Sequence, residues 1–288
     1  MKKLFLISLM VLCARTTFYA QSIIYTTADS VRIEKLLKEA TLLPKGINKT
    51  LFFANKFIGK PYGSASLERR GGEDLVVNLQ KFDCTTLVET VSALTLANRT
   101  GQKSFKEFCK FLRKIRYHKG RIDGYLSRLH YFSSWIDDNE QQMLVHEVNI
   151  SDNGLSNPFI ARQKLKINYM STHVNAYPAL RNNKDLVKGI QIEEQRLTGR
   201  IVKYIPADKL SGGKKDLSPI KDGDIIAIVT RRPGLDVSHL GFAVWVNGHI
   251  HLLNASSLHH KVVLESRTLR TYMQTQRSQI GVRVIRIQ

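Results

Sequence analysis

Acidic side chains are scarce in this chain. Its 288 residues hold 24 Asp and Glu against 44 Lys and Arg, a formal net charge of +20. Such an excess draws a surface to polyanions, whether nucleic acid, anionic lipid or the carboxylate-rich polymers of a cell envelope. Nucleic acid is not expected as the partner, because no basic-aromatic recognition motif stands out. Cysteine is scarcer still: Cys13, Cys84 and Cys109 are the full set, with no Cys-x-x-Cys pair, and the nine histidines form no His-Glu-x-x-His. Without those spacings neither a metal nor another cofactor is expected. Long apolar runs are also missing. The run from Leu4 to Ala14 is too short to span a bilayer, and no later segment approaches that length.

Residues 1–20 read instead as a secretory signal, with Lys2 and Lys3 before the apolar run and the small Ala20 before Gln21. Val11 and Leu12 are bulkier than the residues that precede a lipid-modified cysteine, which argues against an anchor at Cys13. Without Lys2, Lys3 and Arg15 the mature chain, 21–288, keeps a net charge of about +17. Export favours the envelope among the polyanions. It also raises a Cys84–Cys109 disulfide as a possibility to be weighed from context.

With 43% hydrophobic side chains, the chain can bury one large core or two small ones. No linker or internal repeat marks a boundary, so a single domain is expected. Helices are predicted from Ser30 to Ala40 and from Ile47 to Phe57, and Gly59-Lys60-Pro61-Tyr62-Gly63 breaks the pattern. After an extended run at Leu75 to Leu79, Asp83 stands as a helix cap, and Leu87, Val88, Val91 and Leu94 continue the helix that Gly101 closes. Ser104 with Glu107 has the form of a capping box, and Phe105, Phe108, Cys109 and Leu112 share one face. That makes Cys109 core rather than a disulfide partner. Residues 119–210 are mixed, with a helix near Asp185 to Leu197 and a strand near Arg200 to Ile205. From Gly223 an antiparallel meander is predicted over Ile225 to Thr230, Leu240 to Val246, His249 to Asn254, Lys261 to Leu264 and Gly281 to Ile287. Helices first and strands after imply an α+β fold with the helices on one side of the sheet.

A thiol in the first turn of a helix meets unpaired N–H groups that favour its ionised form, which singles out Cys84. A base and an orienting polar residue are then needed. Asn247-Gly248 is a two-residue turn signal. Closing the hairpin there pairs Val246 with His249, Trp245 with Ile250, Ala243 with Leu252 and Gly241 with Asn254. Side chains alternate, so His239 shares a face with Gly241, Ala243 and Asn254, whereas His249 and His251 point away. His239 and Asn254 become diagonal neighbours, about 7–8 Å apart between backbones. The small Gly241 and Ala243 leave room on that face for the Cys84 helix. A lone Cys or His is usually structural; the three residues together form a less accidental pattern.

Phe82-Asp83-Cys84-Thr85-Thr86, Lys221-Asp222-Gly223-Asp224-Ile225-Ile226, Ser238-His239-Leu240-Gly241-Phe242 and Leu253-Asn254-Ala255-Ser256-Ser257 resemble the motifs of the NlpC-like papain-fold cysteine peptidases. Gly59-Lys60-Pro61-Tyr62 matches the Gly-x-Pro-Tyr element that precedes their nucleophile. Thr-Thr after the Cys is similar to the N-acetylmuramoyl-L-alanine amidase-like branch. The resemblance runs from about Phe53 to the C-terminus. It implies a papain-like fold, a Cys84, His239 and Asn254 triad, and Tyr62 beside the nucleophile, near the developing oxyanion with the Cys84 N–H. The implied reaction is cleavage of the amide between N-acetylmuramic acid and L-alanine in peptidoglycan fragments, by a monomeric periplasmic enzyme whose residues 119–210 bind substrate. Related branches cut the D-glutamyl to diamino-acid bond and hold a free amine just before the His, where Asp236 and Ser238 stand here. Arg128, for substrate carboxylates, and Tyr131, for stacking, complete the expected contacts. A non-catalytic, polyanion-binding envelope protein is the reading from a different class.

Overall fold

The structure, a computed structural model, describes residues 22–68, 72–148 and 157–288. The leader read at residues 1–20 lies outside them. No helix among the described residues is long and apolar enough to cross a membrane.

A short strand β1 (Ile23–Ile24) leads into α1 (Thr27–Thr41), where Thr26 and Asp29 cap each other reciprocally. Helix α2 (Lys49–Asn55) follows under an Asn48 cap, and β2 (Leu75–Val76) pairs in parallel with β1. Between them Gly59 takes a positive φ of 86°, and the chain runs antiparallel to the sheet edge. Helix α3 (Cys84–Arg99) is buried along most of its length, and α4 (Phe105–Arg116) packs against it. Ser104 caps α4 by accepting from the Glu107 N–H. The other half of the predicted capping box is not made: Glu107 pairs with Lys110, and Phe105 N–H donates to Glu34. Cys109 is buried in the core formed by these helices. Cys84 and Cys109 are both free thiols.

Helix α5 (Phe132–Gln141), β3 (Val145–Glu147), β4 (Ala161–Lys164), α6 (Tyr169–Thr172), α7 (Lys184–Leu197) and β5 (Ile201–Pro206) make up the mixed middle of the chain. Residues from this stretch form an apolar cluster of their own, with Tyr131, Leu165, Ile167, Met170, Ile190 and Leu197 in it.

The last third is β6 (Ile225–Thr230), β7 (Val237–Val246), β8 (His249–Ser256), β9 (Lys261–Thr268), α8 (Leu269–Gln274) and β10 (Gln279–Ile287). The large sheet runs β4-β5-β10-β6-β7-β8-β9, antiparallel throughout, with β3 also on β10. The α+β class is as the sequence predicts, and β6 to β9 form an antiparallel meander, but β10, predicted as its last strand, returns beside β6 instead of extending it past β9. The turn at Asn247 (φ 49°) and Gly248 (φ 81°) has two positive φ angles, as a type I′ hairpin requires, and it sets the predicted register from Val246–His249 to Ala243–Leu252.

Two expectations about layers fail. The sheet is covered on both faces, not one: Leu240, Phe242, Leu253 and Ala255 pack with α3, while Ala243, Ile250 and Leu252 pack with Leu269, Tyr272 and Met273 around α8. The Cys84 helix thus meets the face opposite to Ala243. Gly241 is small for another reason, since a Cβ there would come within 2.7 Å of the Leu252 side chain and the Leu253 carbonyl.

Candidate active site

Asp83 ends the extended segment before α3 with φ −95° and ψ 178°, and its side chain accepts from the Thr86 N–H at 2.7 Å. The Thr86 hydroxyl in turn accepts from the Asp83 N–H at 3.0 Å. This reciprocal cap fixes Cys84 as the first residue of the helix, half-buried at the wall of a cavity of about 340 Å³. Burial, followed by the adjacent Asp83 charge, pushes its thiol up to about 11, against hydrogen bonds from the Leu240 backbone and Thr85 that favour the thiolate. The helix start therefore does not produce a resting thiolate. Desolvation outweighs it.

His239 reaches the same cavity from β7. Just before it the β6–β7 register shifts: His239 pairs with Ile228 and Val237 with Val229, so Ser238 is an extra residue in the ladder. Such a bulge re-aims the side chains beside it. Ser238 is exposed, and its hydroxyl bonds the Ile228 carbonyl at 3.3 Å. His239 Nε2 lies 2.9 Å from Asn254 Oδ1. Asn254 is fully buried, and its Nδ2 donates to Glu265 Oε1 at 3.1 Å. With that end of the amide committed, Oδ1 is the end facing the imidazole, so the ring proton sits on Nε2 and Nδ1 is left as the basic nitrogen. Burial lowers the His239 pKa, opposed by the Asn254 hydrogen bond and the Glu265 charge. Thiol and imidazole are both neutral near pH 7 in this geometry.

The remaining predicted residues divide. Tyr131 and Asp236 line the cavity with Cys84, Ser238 and His239. The Tyr131 hydroxyl is taken up, donating to Glu194 at 2.7 Å and accepting from the Met170 N–H at 2.9 Å. Asp236 is 3% exposed, and its two carboxylate oxygens accept from the Ser133 N–H at 2.7 Å and the Val237 N–H at 2.8 Å. Tyr62 does not line the cavity, yet it packs within reach of the Cys84 and Asp83 charges, which join burial in raising its phenol pKa. Its N–H donates to the His260 carbonyl. Arg128 is elsewhere. It is buried in an ion pair with Glu68 at 2.8 Å, lies 3.3 Å from Glu73, and faces a different cavity.

Other residues line the cavity without having been assigned a site role from the sequence, although Thr85 belongs to a quoted motif. They include Thr85, His130, Trp135, Tyr169, Tyr177 and Arg232. Burial, then the Arg128 charge, pushes His130 down to about 3, so its ring is neutral. Arg232 is exposed and lies over the Tyr169 ring at 5.4 Å. Among the described residues no group of three or more His, Cys, Asp or Glu is placed to hold a metal.

The N-acetylmuramoyl-L-alanine amidase-like (AmiA-like) family model matches residues 52–282, which takes in every residue of this cavity. The chain belongs to that family. An N-acetylmuramoyl-L-alanine amidase from Bacteroides uniformis is 39% identical with a TM-score of 0.77, over 83% of this chain and 97% of that one. A Bacteroides fragilis structure named as a candidate xylanase is 40% identical with a TM-score of 0.75, over 82% and 100%. A Legionella pneumophila protein shares the fold at 24% identity, TM-score 0.67, over 90% and 94%. No curated protein matches the sequence. The amidase-like family supports a hydrolase acting on peptidoglycan.

Proposed function

We propose that this protein is an exported, periplasmic cysteine amidase that cleaves the bond between the lactyl group of N-acetylmuramic acid and L-alanine. The observation that carries the reading is His239, hydrogen-bonded to the buried Asn254, lining the same cavity as Cys84 at the start of α3. We assign the fold to the papain-like NlpC superfamily, as one domain over residues 21–288. Residues 119–210 serve as the substrate-binding segment; Tyr131, Tyr169, Met170 and Tyr177 from it line the cavity.

In the reaction, Cys84 Sγ bonds to the lactyl carbonyl carbon as its proton passes to His239 Nδ1. The carbonyl oxygen becomes an oxyanion beside the Cys84 backbone N–H and Tyr62. The C–N bond then breaks as His239 returns that proton to the L-alanine nitrogen, leaving a thioester. Water attacks the thioester and loses a proton to His239 Nδ1. The C–S bond breaks, and the proton passes back to Cys84. Asn254 holds the ring so that the basic nitrogen stays available.

The D-glutamyl to diamino-acid endopeptidase reading would use Asp236 to hold a substrate amine; Asp236 lines the cavity, and each of its buried oxygens already accepts from one backbone N–H. A glycosidase reading needs two carboxylates flanking the scissile bond, and Asp236 is the one carboxylate among the described cavity-lining residues. Mass analysis of a muropeptide digest tests the proposal. The amidase reaction releases a peptide beginning with L-alanine, whereas cleavage after D-glutamate, or binding without turnover, contradicts it.

A further inference from the structure

Glu265 carries a chemistry that the three proposed catalytic residues do not explain. It sits on β9 with 5% of its surface exposed, a carboxylate placed inside the sheet layer. Strand β9 departs from regular pairing at this point. Asn254 pairs with Val263 and Leu253 with Leu264, but His251 pairs with Thr268, so Glu265, Ser266 and Arg267 bulge out of the ladder. The His251 ring bonds the Glu265 carbonyl at 2.9 Å and pins the bulge. From within this bulge the Glu265 side chain reaches the Asn254 amide. There Oε1 accepts from Asn254 Nδ2 at 3.1 Å, and Oε2 lies 3.3 Å from His259 Nε2.

We propose that Glu265 is a positioning residue for this site, fixing which end of the Asn254 amide faces His239 and thereby which imidazole nitrogen is the base. The inference rests on the reading of Cys84 and His239 as catalytic. Asparagine is pseudo-symmetric, and the second acceptor of Nδ2, the Leu252 carbonyl, is distant at 3.4 Å. An anionic acceptor admits the NH₂ end and repels the carbonyl end. A flipped Asn254 would turn an N–H toward Nε2, moving the ring proton to Nδ1, where it blocks the thiol. The carboxylate also lies close enough to stabilise the imidazolium through the intervening amide. The groups around the ring are Asn254, Glu265, Tyr272 6.2 Å away on α8, and Cys84 on α3, which shares the cavity with it.

The test compares wild type, E265Q, E265A and C84A as full mature chains. Imidazole ¹⁵N NMR reads the His239 tautomer and its titration, and muropeptide turnover reads kcat, KM and the pH profile. In wild type His239 is the Nε2–H tautomer. In E265A that tautomer gives way to a mixture, and kcat falls about tenfold or more with KM unchanged, since Glu265 does not line the cavity. E265Q, nearly isosteric, recovers part of kcat. In both variants the His239 titration and the acid limb of kcat/KM move to lower pH, because a nearby anion has been removed. An altered tautomer and a lower titration in E265Q alone support the proposal if E265A does not fold. Folded variants with a wild-type tautomer and unmoved titration overturn it. Failure of the underlying reading shows separately, as wild-type turnover by C84A.

Discussion

His239 Nε2 and Asn254 Oδ1 lie 2.9 Å apart, joined across β7 and β8 although the two residues stand fifteen positions apart in the chain. The contact leaves the imidazole one free nitrogen. In the proposed mechanism that nitrogen must gain and lose a proton twice per turnover. Asn254→Ala removes a hydrogen bond to a group that becomes charged, worth about 1.5–3 kcal/mol, so kcat is expected to fall about 10- to 150-fold. His239→Ala removes the proton carrier itself and is expected to lower kcat about 10²- to 10⁴-fold. Steady-state kinetics on purified muropeptides check both, and equal losses in the two variants would count against the division of roles.

The Cys84 thiol, held up at about 11 by burial and by Asp83, is protonated at neutral pH in the free enzyme. Alkylation by iodoacetamide should therefore rise steadily with pH toward that value, with no plateau at low pH from a resting thiolate–imidazolium pair. Asp83→Asn keeps a helix cap and removes the charge, so its alkylation midpoint should shift to lower pH. A fast, pH-independent reaction from pH 5 upward would contradict the neutral pair.

Arg232 lines the cavity, and among the described residues no carboxylate pairs with it. Muropeptide stems carry carboxylates that a guanidinium can bind in a bidentate manner. Arg232→Gln should raise KM about tenfold for an acidic stem while changing kcat little, and it should leave an amidated stem nearly unaffected. Equal effects on both stems would assign Arg232 a general surface role.

Glu89 and Arg116 join α3 to α4 by a 2.6 Å ion pair, each 2% exposed. Arg116 also donates to the Val76 carbonyl at 2.7 Å. Glu89→Ala strands a buried guanidinium and should cost about 3–5 kcal/mol of stability, measured as a shift in the urea-unfolding midpoint. Replacing Arg116 by Met as well should recover part of that loss. Unchanged unfolding in the single variant would show that the pair is not maintained in solution.

The hairpin was legible because its signal is local: Asn-Gly sets the turn, and alternation then carries His239 and Asn254 to one face. Cys84 was legible because Asp83 caps the helix through side chains three residues apart. Arg128 was misplaced because composition alone cannot report that Glu68 and Glu73 hold it across more than fifty residues of chain. The Gly241 and Ala243 face was assigned to the wrong layer for a similar reason, since parity says which residues share a face but not what covers it. Helix α8, six residues long and rich in polar side chains, gave too short a period to recognise. Glu265 escaped because its placement depends on a bulge, which breaks the alternation by which a strand is read. Lys221-Asp222-Gly223-Asp224 stood out as a motif, and its role in the structure is to hold a turn: Asp222 accepts from the Trp245 N–H, and Asp224 pairs with Arg286.

Covalent attack of Cys84 on the substrate carbonyl is the step on which the proposed function stands. The most direct measurement is a muropeptide digest by mature wild type and Cys84→Ala, matched for thermal stability and resolved by mass. A nucleophilic Cys84 requires an L-alanine-led peptide from wild type and no product above background from Cys84→Ala. Equal product from the two proteins would contradict it.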